Sequence, residues 1–230
     1  MSVQIQKMFS SIAGTYDQVN TKLSMGKDQQ WRKDSVKQLL AGGFKPKNVL
    51  DLCAGTGDFT LALVTDDMYC KVVMVDFSRE MLKLAMGKTR GVPGRVSMLE
   101  ADALRLPMTD MSFDACMCGF GVRNLDSVEA GLKEIVRVLK PGGKVVILEF
   151  FKPEGALLNL FYSFYMKFVV AKVGGSISKN PGAYEYLPSS AKAFLSPSDF
   201  GKLMEKCGFK DVSVESRTMG IALSFVGTRK

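Results

Sequence analysis

The sequence of 230 residues contains no histidine. Histidine is the commonest general base and the commonest metal ligand, and catalytic triads of the serine–histidine–aspartate type require it. Its absence excludes every mechanism that depends on an imidazole. Any chemistry must therefore use carboxylates, tyrosine, arginine, backbone dipoles or the reactivity of a bound cofactor.

Cysteine is also scarce. The five cysteines are an odd number, and no two of them are spaced as Cys-x-x-Cys. Most lie in apolar runs, which is typical of reduced core cysteines in a cytosolic protein. We therefore expect no structural zinc site and no metal. The cysteines are Cys53, Cys70, Cys116, Cys118 and Cys207.

Long apolar runs and dense basic runs are missing as well. The longest apolar run, residues 156–173, contains Lys167 and Lys172 and is short for a bilayer span, so we interpret it as a buried or lid helix. The N-terminus lacks the apolar segment of a signal peptide. The net charge of +8 comes without a basic–aromatic ladder, which argues against nucleic acid as a partner. A solubilising surface and attraction to an anionic membrane both stay open.

The most informative segment is NVLDLCAGTGDFTLAL, residues 48–63. It predicts an apolar strand, a glycine turn and the start of a helix. Gly55 and Gly57 allow a tight turn and a close approach of the backbone to a ligand, which a Cβ would block. A second apolar run ends in Asp76, whose carboxylate can accept hydrogen bonds from both hydroxyls of a ribose. We therefore expect a nucleoside-binding crevice at the carboxyl ends of parallel strands.

Strands and helices alternate after this segment, which predicts a parallel α/β sheet. The KPGGK segment, residues 140–144, is interpreted as a turn that ends one helix and starts the fifth strand. The last two predicted strands have a short connection and form an antiparallel hairpin. The predicted strands cover residues 49–52, 71–75, 95–99, 113–118, 144–150, 211–217 and 221–228, and the predicted helices cover 58–65, 78–87, 126–139 and 197–206.

The nucleoside is not predicted to be NAD, because Thr60 stands where the GxGxxG turn has its third glycine. A lone GxG is weak evidence, since many α/β turns carry it for geometry alone. Asp102 strengthens the prediction of an adenosyl ligand. It follows the third predicted strand, where its carboxylate could accept a hydrogen bond from the exocyclic amine of adenine.

With these features the chain resembles the class I S-adenosylmethionine-dependent methyltransferases, and among them the ubiquinone/menaquinone biosynthesis C-methyltransferases of the UbiE type. The resemblance covers nearly the whole chain. It implies a Rossmann-like α/β fold with a seven-stranded, mostly parallel sheet ending in an antiparallel hairpin, and with helices on both faces. We expect one domain, residues 1–230, with an N-terminal helical cap over 1–42 and a helical insertion or lid over 151–195. The motifs that carry the resemblance are FSSIAGTYDQVNTKLSMGKDQQWRK, DLCAGTGD, GFGVRNLDS, RVLKPGGKVVILEF, YEYLPSS and GIALSFVG.

The resemblance implies S-adenosylmethionine as the cofactor and S-adenosylhomocysteine as its product. Thr56, Asp76 and the pair Asp102–Ala103 match the family's cofactor-binding positions. Gly119 falls where relatives often carry a small hydroxyl residue, so one hydrogen bond to the cofactor is in doubt. The full set of expected cofactor-binding residues is Asp51, Gly55, Thr56, Gly57, Asp76, Phe77, Asp102, Ala103 and Gly119.

Methylation of a quinol carbon benefits from a group that stabilises the phenolate. Arg123 and Asn124, directly after the fourth strand, are the expected catalytic residues. Arg123 would stabilise the phenolate, and Asn124 would orient the ring oxygen or a water. A purely structural role for Arg123, paired with Asp126 or capping the next helix, stays open. The expected substrate-binding residues are Tyr16, Phe120, Tyr162, Tyr165, Tyr184 and Tyr186.

The substrate that the resemblance implies is a polyprenylated quinol, with demethylmenaquinol favoured over the ubiquinone precursor. Its tail lies in the membrane, so we expect a cytoplasmic protein in peripheral contact with the inner face of the membrane. The apolar segment 157–173 would receive the tail, but it could equally be core or a face of a homodimer. A methyltransferase for a soluble small molecule and a cofactor-binding protein without turnover remain alternative functions.

Overall fold

The computed structural model describes residues 3–64, 70–92, 95–151, 186, 189–218 and 220–230. These residues form one sheet and the helices around it. The strands are β1 (Asn48–Leu52), β2 (Lys71–Asp76), β3 (Val96–Glu100), β4 (Phe113–Gly119), β5 (Leu139–Phe150), β6 (Phe209–Arg217) and β7 (Ala222–Arg229), and the helices are α1 (Val3–Leu23), α2 (Lys27–Leu39), α3 (Asp58–Leu63), α4 (Arg79–Lys88), α5 (Val128–Val138) and α6 (Pro197–Cys207).

The seven strands are ordered β3-β2-β1-β4-β5-β7-β6. β1 to β5 run parallel, and β7 is antiparallel to both of its neighbours. The expected mostly parallel sheet with a terminal hairpin is therefore confirmed. The strand order reverses between β1 and β4, and in open α/β sheets such a reversal leaves a crevice at the carboxyl ends of the strands.

Apolar side chains cover both faces of the sheet, because neighbouring residues in a strand point to opposite faces. On one face, Leu50 and Leu52 of β1 belong to a buried cluster that includes Leu132 of α5 and Phe200 of α6. On the other face, Val49 belongs to a cluster with side chains of α2, α3 and α4. The helices therefore lie on both faces, as expected.

Local sequence signals explain where three of the helices begin. The hydroxyl oxygens of Ser78, Ser127 and Ser196 accept hydrogen bonds from backbone N–H groups in the first turns of α4, α5 and α6. Pro197 occupies the first turn of α6, where its missing N–H costs nothing. These capping residues fix where the three helices begin, and the helices follow one another in the order that the sequence predicts.

The turn predicted over residues 140–144 does not separate α5 from β5. β5 begins at Leu139, directly after α5, so the predicted strand start at residue 144 was wrong. Gly142 has a φ of 75°, and a Cβ at Gly143 would lie 2.8 Å from the main-chain oxygen of Lys140. The pairing register with β4 also shifts here. The two glycines form an irregular strand start resembling a bulge, which the sequence pattern alone reads as a turn.

The expected lid falls mostly outside the described residues. This applies to the apolar segment 157–173 and to three expected substrate-binding residues, Tyr162, Tyr165 and Tyr184. Among the helices that the structure describes, none combines the length and the apolar character needed to cross a membrane.

Candidate functional site

A cavity lies at the carboxyl ends of β1, β2 and β4, where the strand order reverses. It brings together four expected cofactor-binding residues with Tyr16, Phe120 and Asn124, which the sequence assigns to the substrate or to catalysis. α1 forms part of its wall. The lining residues are Phe9, Tyr16, Cys53, Gly55, Asp76, Phe77, Met81, Gly119, Phe120, Gly121 and Asn124.

The two glycines of the turn after β1 have different tasks. Both have left-handed φ angles, 55° at Gly55 and 87° at Gly57. A Cβ at Gly55 would meet no protein atom within 4 Å, so this position leaves open space where the turn lines the cavity. A Cβ at Gly57 would lie 2.9 Å from Cε of Met74 and 3.3 Å from Cβ of Ala85. Gly55 thus makes room for a ligand, whereas Gly57 lets the turn pack against β2 and α4.

Asp76, at the end of β2, is buried in the cavity wall with both carboxylate oxygens held. Oδ2 accepts a hydrogen bond from the N–H of Gly55 and Oδ1 accepts one from the N–H of Ser78, both at 2.8 Å. Burial raises the pKa of Asp76 to about 6, although these N–H groups oppose the shift. Each oxygen retains acceptor capacity, which suits a pair of ribose hydroxyls.

Asp51, in β1, orders the start of α3. Its Oδ2 accepts hydrogen bonds from the backbone N–H of Thr60 at 3.1 Å and from the Thr60 hydroxyl at 2.6 Å. Its Oδ1 is buried and has no hydrogen-bond partner among the described residues. Burial raises the pKa of Asp51 to about 7. Asp51 is not among the residues that line the cavity, so a contact with the cofactor stays a prediction.

Of the other expected cofactor-binding residues, Phe77 lines the cavity, whereas Asp102 and Ala103 do not. The main-chain oxygen of Phe77 accepts a hydrogen bond from Gln6 of α1. Asp102 is exposed, with Oδ1 3.0 Å from the N–H of Leu104, and Ala103 is buried beside it. Neither is part of the cavity wall, so their contact with adenine stays a prediction.

A Cβ would be tightly packed at Gly119 and would have no room at Gly121. A Cβ at Gly119 would lie 3.0 Å from Cδ1 of Phe59, which is itself buried. A Cβ at Gly121 would lie 2.4 Å from Cβ of Cys53. A side chain at Gly119 would therefore require the Phe59 ring to shift slightly.

Phe120 has a strained, left-handed backbone with a φ of 59°. Its ring stacks on Phe150 with the centroids 4.4 Å apart. The guanidinium of Arg32 lies 5.3 Å from the Phe120 ring, and that of Arg123 lies 5.6 Å from the Phe150 ring. The Phe120 ring, which lines the cavity, is thus backed by the Phe150 ring, and a cation lies beside each ring.

Arg123 lies in the short turn after β4 and is almost fully buried, with 4% of its side chain exposed. Its Nη1 donates to Oε1 of Glu149 at 2.5 Å and to the main-chain oxygen of Phe120 at 2.8 Å. Its Nε finds no hydrogen-bond partner among the described residues. The ion-pair partner is thus Glu149 at the end of β5, while a role toward substrate stays a prediction.

Asn124 and Tyr16 line this side of the cavity, and Tyr186 contacts Asn124. The Asn124 amide nitrogen donates to the main-chain oxygen of Phe120 at 3.2 Å, and the Tyr186 hydroxyl donates to Oδ1 of Asn124 at 3.1 Å. Tyr16 enters from α1. Burial raises the pKa of its phenol, and the positive charges of Arg32 and Arg123 oppose that shift.

Four polar side chains attach α1 to the glycine turn. Lys88 of α4 donates to Oδ2 of Asp17 at 2.6 Å, to the Thr56 hydroxyl at 3.0 Å, and to Asp58. The Thr56 hydroxyl donates in turn to Oδ1 of Asp17 at 2.5 Å. We call Asp17, Thr56, Asp58 and Lys88 the α1 latch. Thr56 thus has a structural partner in addition to its expected role toward the cofactor.

Sequence reasoning missed Glu149 and Lys88. Glu149 had a detectable signal, because a carboxylate at the carboxyl end of an apolar strand is costly without a partner. Lys88 had none, since a lysine in the last turn of a helix is ordinary.

The described residues fit S-adenosylmethionine. Gly55 offers open space at the cavity, and Asp76 offers a pair of acceptor oxygens in its wall. Within the described part of the chain, no group of three or more Cys, Asp or Glu side chains could hold a metal ion.

Comparison with known proteins agrees with this assignment. The sequence profile of the ubiE/COQ5 methyltransferase family matches residues 1–229. The chain is 43% identical to the demethylmenaquinone methyltransferase of Thermus thermophilus, covering 96% of this chain and 100% of that protein. It is 41% identical to the ubiquinone/menaquinone biosynthesis C-methyltransferase UbiE of Geobacter sulfurreducens, covering 98% and 88%.

A solved structure also shares the fold. An S-adenosylmethionine-dependent methyltransferase of Thermotoga maritima superposes with a TM-score of 0.70 at 21% identity, covering 97% of this chain and 99% of that one. The cavity at the strand reversal, the sheet order and the match of the family profile to nearly every residue lead to one conclusion. This chain belongs to the ubiE/COQ5 methyltransferase family and is an S-adenosylmethionine-dependent methyltransferase.

Proposed function

We propose that the protein methylates a ring carbon of a polyprenylated quinol, with demethylmenaquinol as substrate and menaquinol as product. The observation that carries this proposal is one cavity with an adenosyl-type wall, Gly55 and Asp76, and an aromatic and amide wall, Tyr16, Phe120 and Asn124. Relatives named demethylmenaquinone methyltransferase support the choice of head group. Relatives named for both ubiquinone and menaquinone biosynthesis make the ubiquinol precursor a second candidate.

Asp76 and Gly55 would hold the adenosyl half of the cofactor. Asp76 would accept hydrogen bonds from the ribose hydroxyls, and the missing side chain of Gly55 would let the backbone approach the ligand. When bound, S-adenosylmethionine supplies a methyl group on a positively charged sulfur, which is a good leaving group. The residues of the chain must therefore align the nucleophilic carbon and exclude water.

The turn after β4 would act on the quinol. The Arg123 guanidinium would stabilise the phenolate, which raises electron density on the neighbouring ring carbon. Among the described residues, Nε of Arg123 has no acceptor, and this supports the role, because a buried donor is unfavourable unless some group, such as a ligand, accepts its hydrogen bond. Asn124 would orient the ring oxygen, and Phe9 and Tyr16 of α1 would exclude water.

The test uses S-adenosylmethionine labelled in its methyl group together with chemically reduced demethylmenaquinone in detergent. We expect labelled menaquinol, and a folded protein that forms none would exclude the proposal. A tailless naphthoquinol that competes as well as the prenylated one would favour a soluble small-molecule substrate. Binding of S-adenosylhomocysteine with no turnover on any quinol would favour a cofactor-binding protein.

A substrate with an isoprenoid tail requires contact with a bilayer, so we further propose peripheral binding at the inner face of the membrane. The net charge of +8 supports attraction to anionic lipids. The protein should sediment with vesicles containing anionic phosphatidylglycerol at low salt and remain in the supernatant with neutral phosphatidylcholine vesicles. Equal sedimentation with both would exclude an electrostatic contribution.

A further inference from the structure

The proposed function assigns no role to Glu149, although this carboxylate is buried and paired with Arg123. Its side chain is fully buried, at 0% exposure, at the carboxyl end of β5. Burial raises the pKa of its carboxyl, and the positive charge of Arg123 opposes this shift. A buried ion pair adds little net stability compared with apolar side chains of the same size. A contribution to stability therefore does not explain why this ion pair is buried here.

Three donors hold the Glu149 carboxylate. Oε1 accepts hydrogen bonds from Nη1 of Arg123 at 2.5 Å and from the backbone N–H of Phe150 at 2.8 Å. Oε2 accepts one from the backbone N–H of Arg123 at 3.3 Å. Glu149 thus grips both the main chain and the side chain of Arg123.

These hydrogen bonds are connected to the cavity wall through one carbonyl group. The main-chain oxygen of Phe120 accepts hydrogen bonds from Nη1 of Arg123 and from the amide nitrogen of Asn124. Phe120 and Asn124 both line the cavity, and Asn124 also holds the hydroxyl of Tyr186. The hydrogen-bonded chain therefore runs from Glu149 through Arg123 to Asn124.

We propose that Glu149 is a positioning residue for methyl transfer. It holds Arg123 in an orientation in which Nε has no partner among the described residues, and through the Phe120 carbonyl it helps to fix Asn124 in the cavity wall. This inference rests on the proposed function, because it assigns Glu149 a task only if Arg123 and Asn124 act on a quinol.

The charge of Glu149 should also affect the pH dependence of the reaction. Removing the carboxylate leaves the Arg123 guanidinium uncompensated, which favours the phenolate form of a neighbouring quinol. The acid limb of the pH profile should then move to lower pH. Among the described residues, the other titratable or charged groups that interact with this pair or with its tyrosine neighbours are Tyr16 and Asp17 on α1, Arg32 on α2, Cys118 on β4, Tyr186 and Asp126.

Glu149→Gln tests the proposal. We expect kcat at its high-pH plateau to fall by about 100-fold, because small displacements of a positioned group have effects of that size. The affinity for S-adenosylhomocysteine, measured by calorimetry, should stay within about twofold of the unmodified protein, and the acid limb should move to lower pH. The matched control is Glu134→Gln, which breaks an arginine–glutamate pair with Arg137 of α5. It should change neither kcat nor the acid limb.

Glu149→Asp is the alternative test if Glu149→Gln does not fold. It keeps the charge and shortens the side chain, so kcat should fall while the acid limb stays in place. Unchanged kcat in a folded Glu149 variant would overturn the inference, as would a fall in kcat matched by an equal loss of S-adenosylhomocysteine affinity. Failure of the unmodified protein to methylate any quinol would instead overturn the proposed function.

Discussion

Asp76 and Asp114 show how two similar carboxylates acquire different properties. Each accepts hydrogen bonds from two backbone N–H groups, Asp76 at the carboxyl ends of the strands and Asp114 at their amino ends. Although burial acts to raise it, Lys140 and the N–H groups hold the pKa of Asp114 below its usual value. The main influences on Asp76 are burial and backbone N–H groups, so its pKa rises to about 6. A carboxylate without a cation is better placed to accept hydrogen bonds from a ligand.

Asp76→Asn should weaken the binding of S-adenosylhomocysteine by about 10- to 100-fold, because an amide replaces the charged acceptor for the ribose hydroxyls. Calorimetric titration measures the change. Asp114→Asn is the control, since it removes a comparable carboxylate at the opposite edge of the sheet, and its affinity should match that of the unmodified protein. Equal affinities in both variants would show that the crevice is misassigned.

At the scale of elements, α1 covers the cavity and is attached through polar contacts as well as packing. Buried Ile12, Val19 and Leu23 of α1 form a small apolar cluster together with Ala191. The α1 latch joins the middle of the helix to the glycine turn, and Gln6 bonds to Phe77 near the N-terminus of the helix. A helix attached at the cofactor turn can respond to the cofactor.

Lys88→Met should loosen α1, because the carboxylates of Asp17 and Asp58 then face each other without a cation. Because the latch is partly exposed, we expect the free energy of local opening of α1 to fall by about 1 kcal/mol or less. Hydrogen exchange should become faster in α1 while β1 and β4 stay protected. Lys140→Met, which breaks the pair with Asp114 at the opposite edge, should leave α1 unchanged. Unchanged exchange in Lys88→Met would mean that packing alone holds the helix.

At the scale of the whole molecule, buried carboxylates make the stability depend on pH. Burial raises the pKa of Asp51 to about 7 and that of Asp76 to about 6. Both groups titrate near pH 4 in an unfolded chain. Between about pH 4 and pH 7 the native state therefore holds protons that the unfolded chain has released. The free energy of unfolding contributed by these groups falls as the pH rises through this window.

We expect the cofactor-free protein to lose about 2–4 kcal/mol of this contribution between pH 5 and pH 7.5. Urea unfolding at both pH values measures it. Asp51→Asn should reduce the dependence, since an amide does not titrate. Nearby cations lower the pKa values of Glu129 and Glu134, so any contribution from these two groups has the opposite sign to that of Asp51 and Asp76. An equal pH dependence in Asp51→Asn would contradict the assignment.

The sequence by itself determined the parallel sheet, its terminal hairpin, the glycine turn and the acidic end of β2. These features depend on residues close together in the chain: apolar periodicity, helix caps and turn glycines act locally. The same local reasoning failed at residues 140–144, because a turn and a bulged strand start use the same glycines. It also could not distinguish the two glycines at Gly55 and Gly57, whose surroundings come from other elements.

Only the tertiary structure decided which charged groups meet. Glu149 and Arg123 are 26 residues apart, and Asp17 and Lys88 are 71 residues apart. Nothing in the local sequence pattern joins these residues. The strand order β1-β4-β5 brings Glu149 to Arg123, and the position of α1 brings Asp17 to Lys88. The role of such a charged side chain depends on which partner the topology of the fold brings next to it.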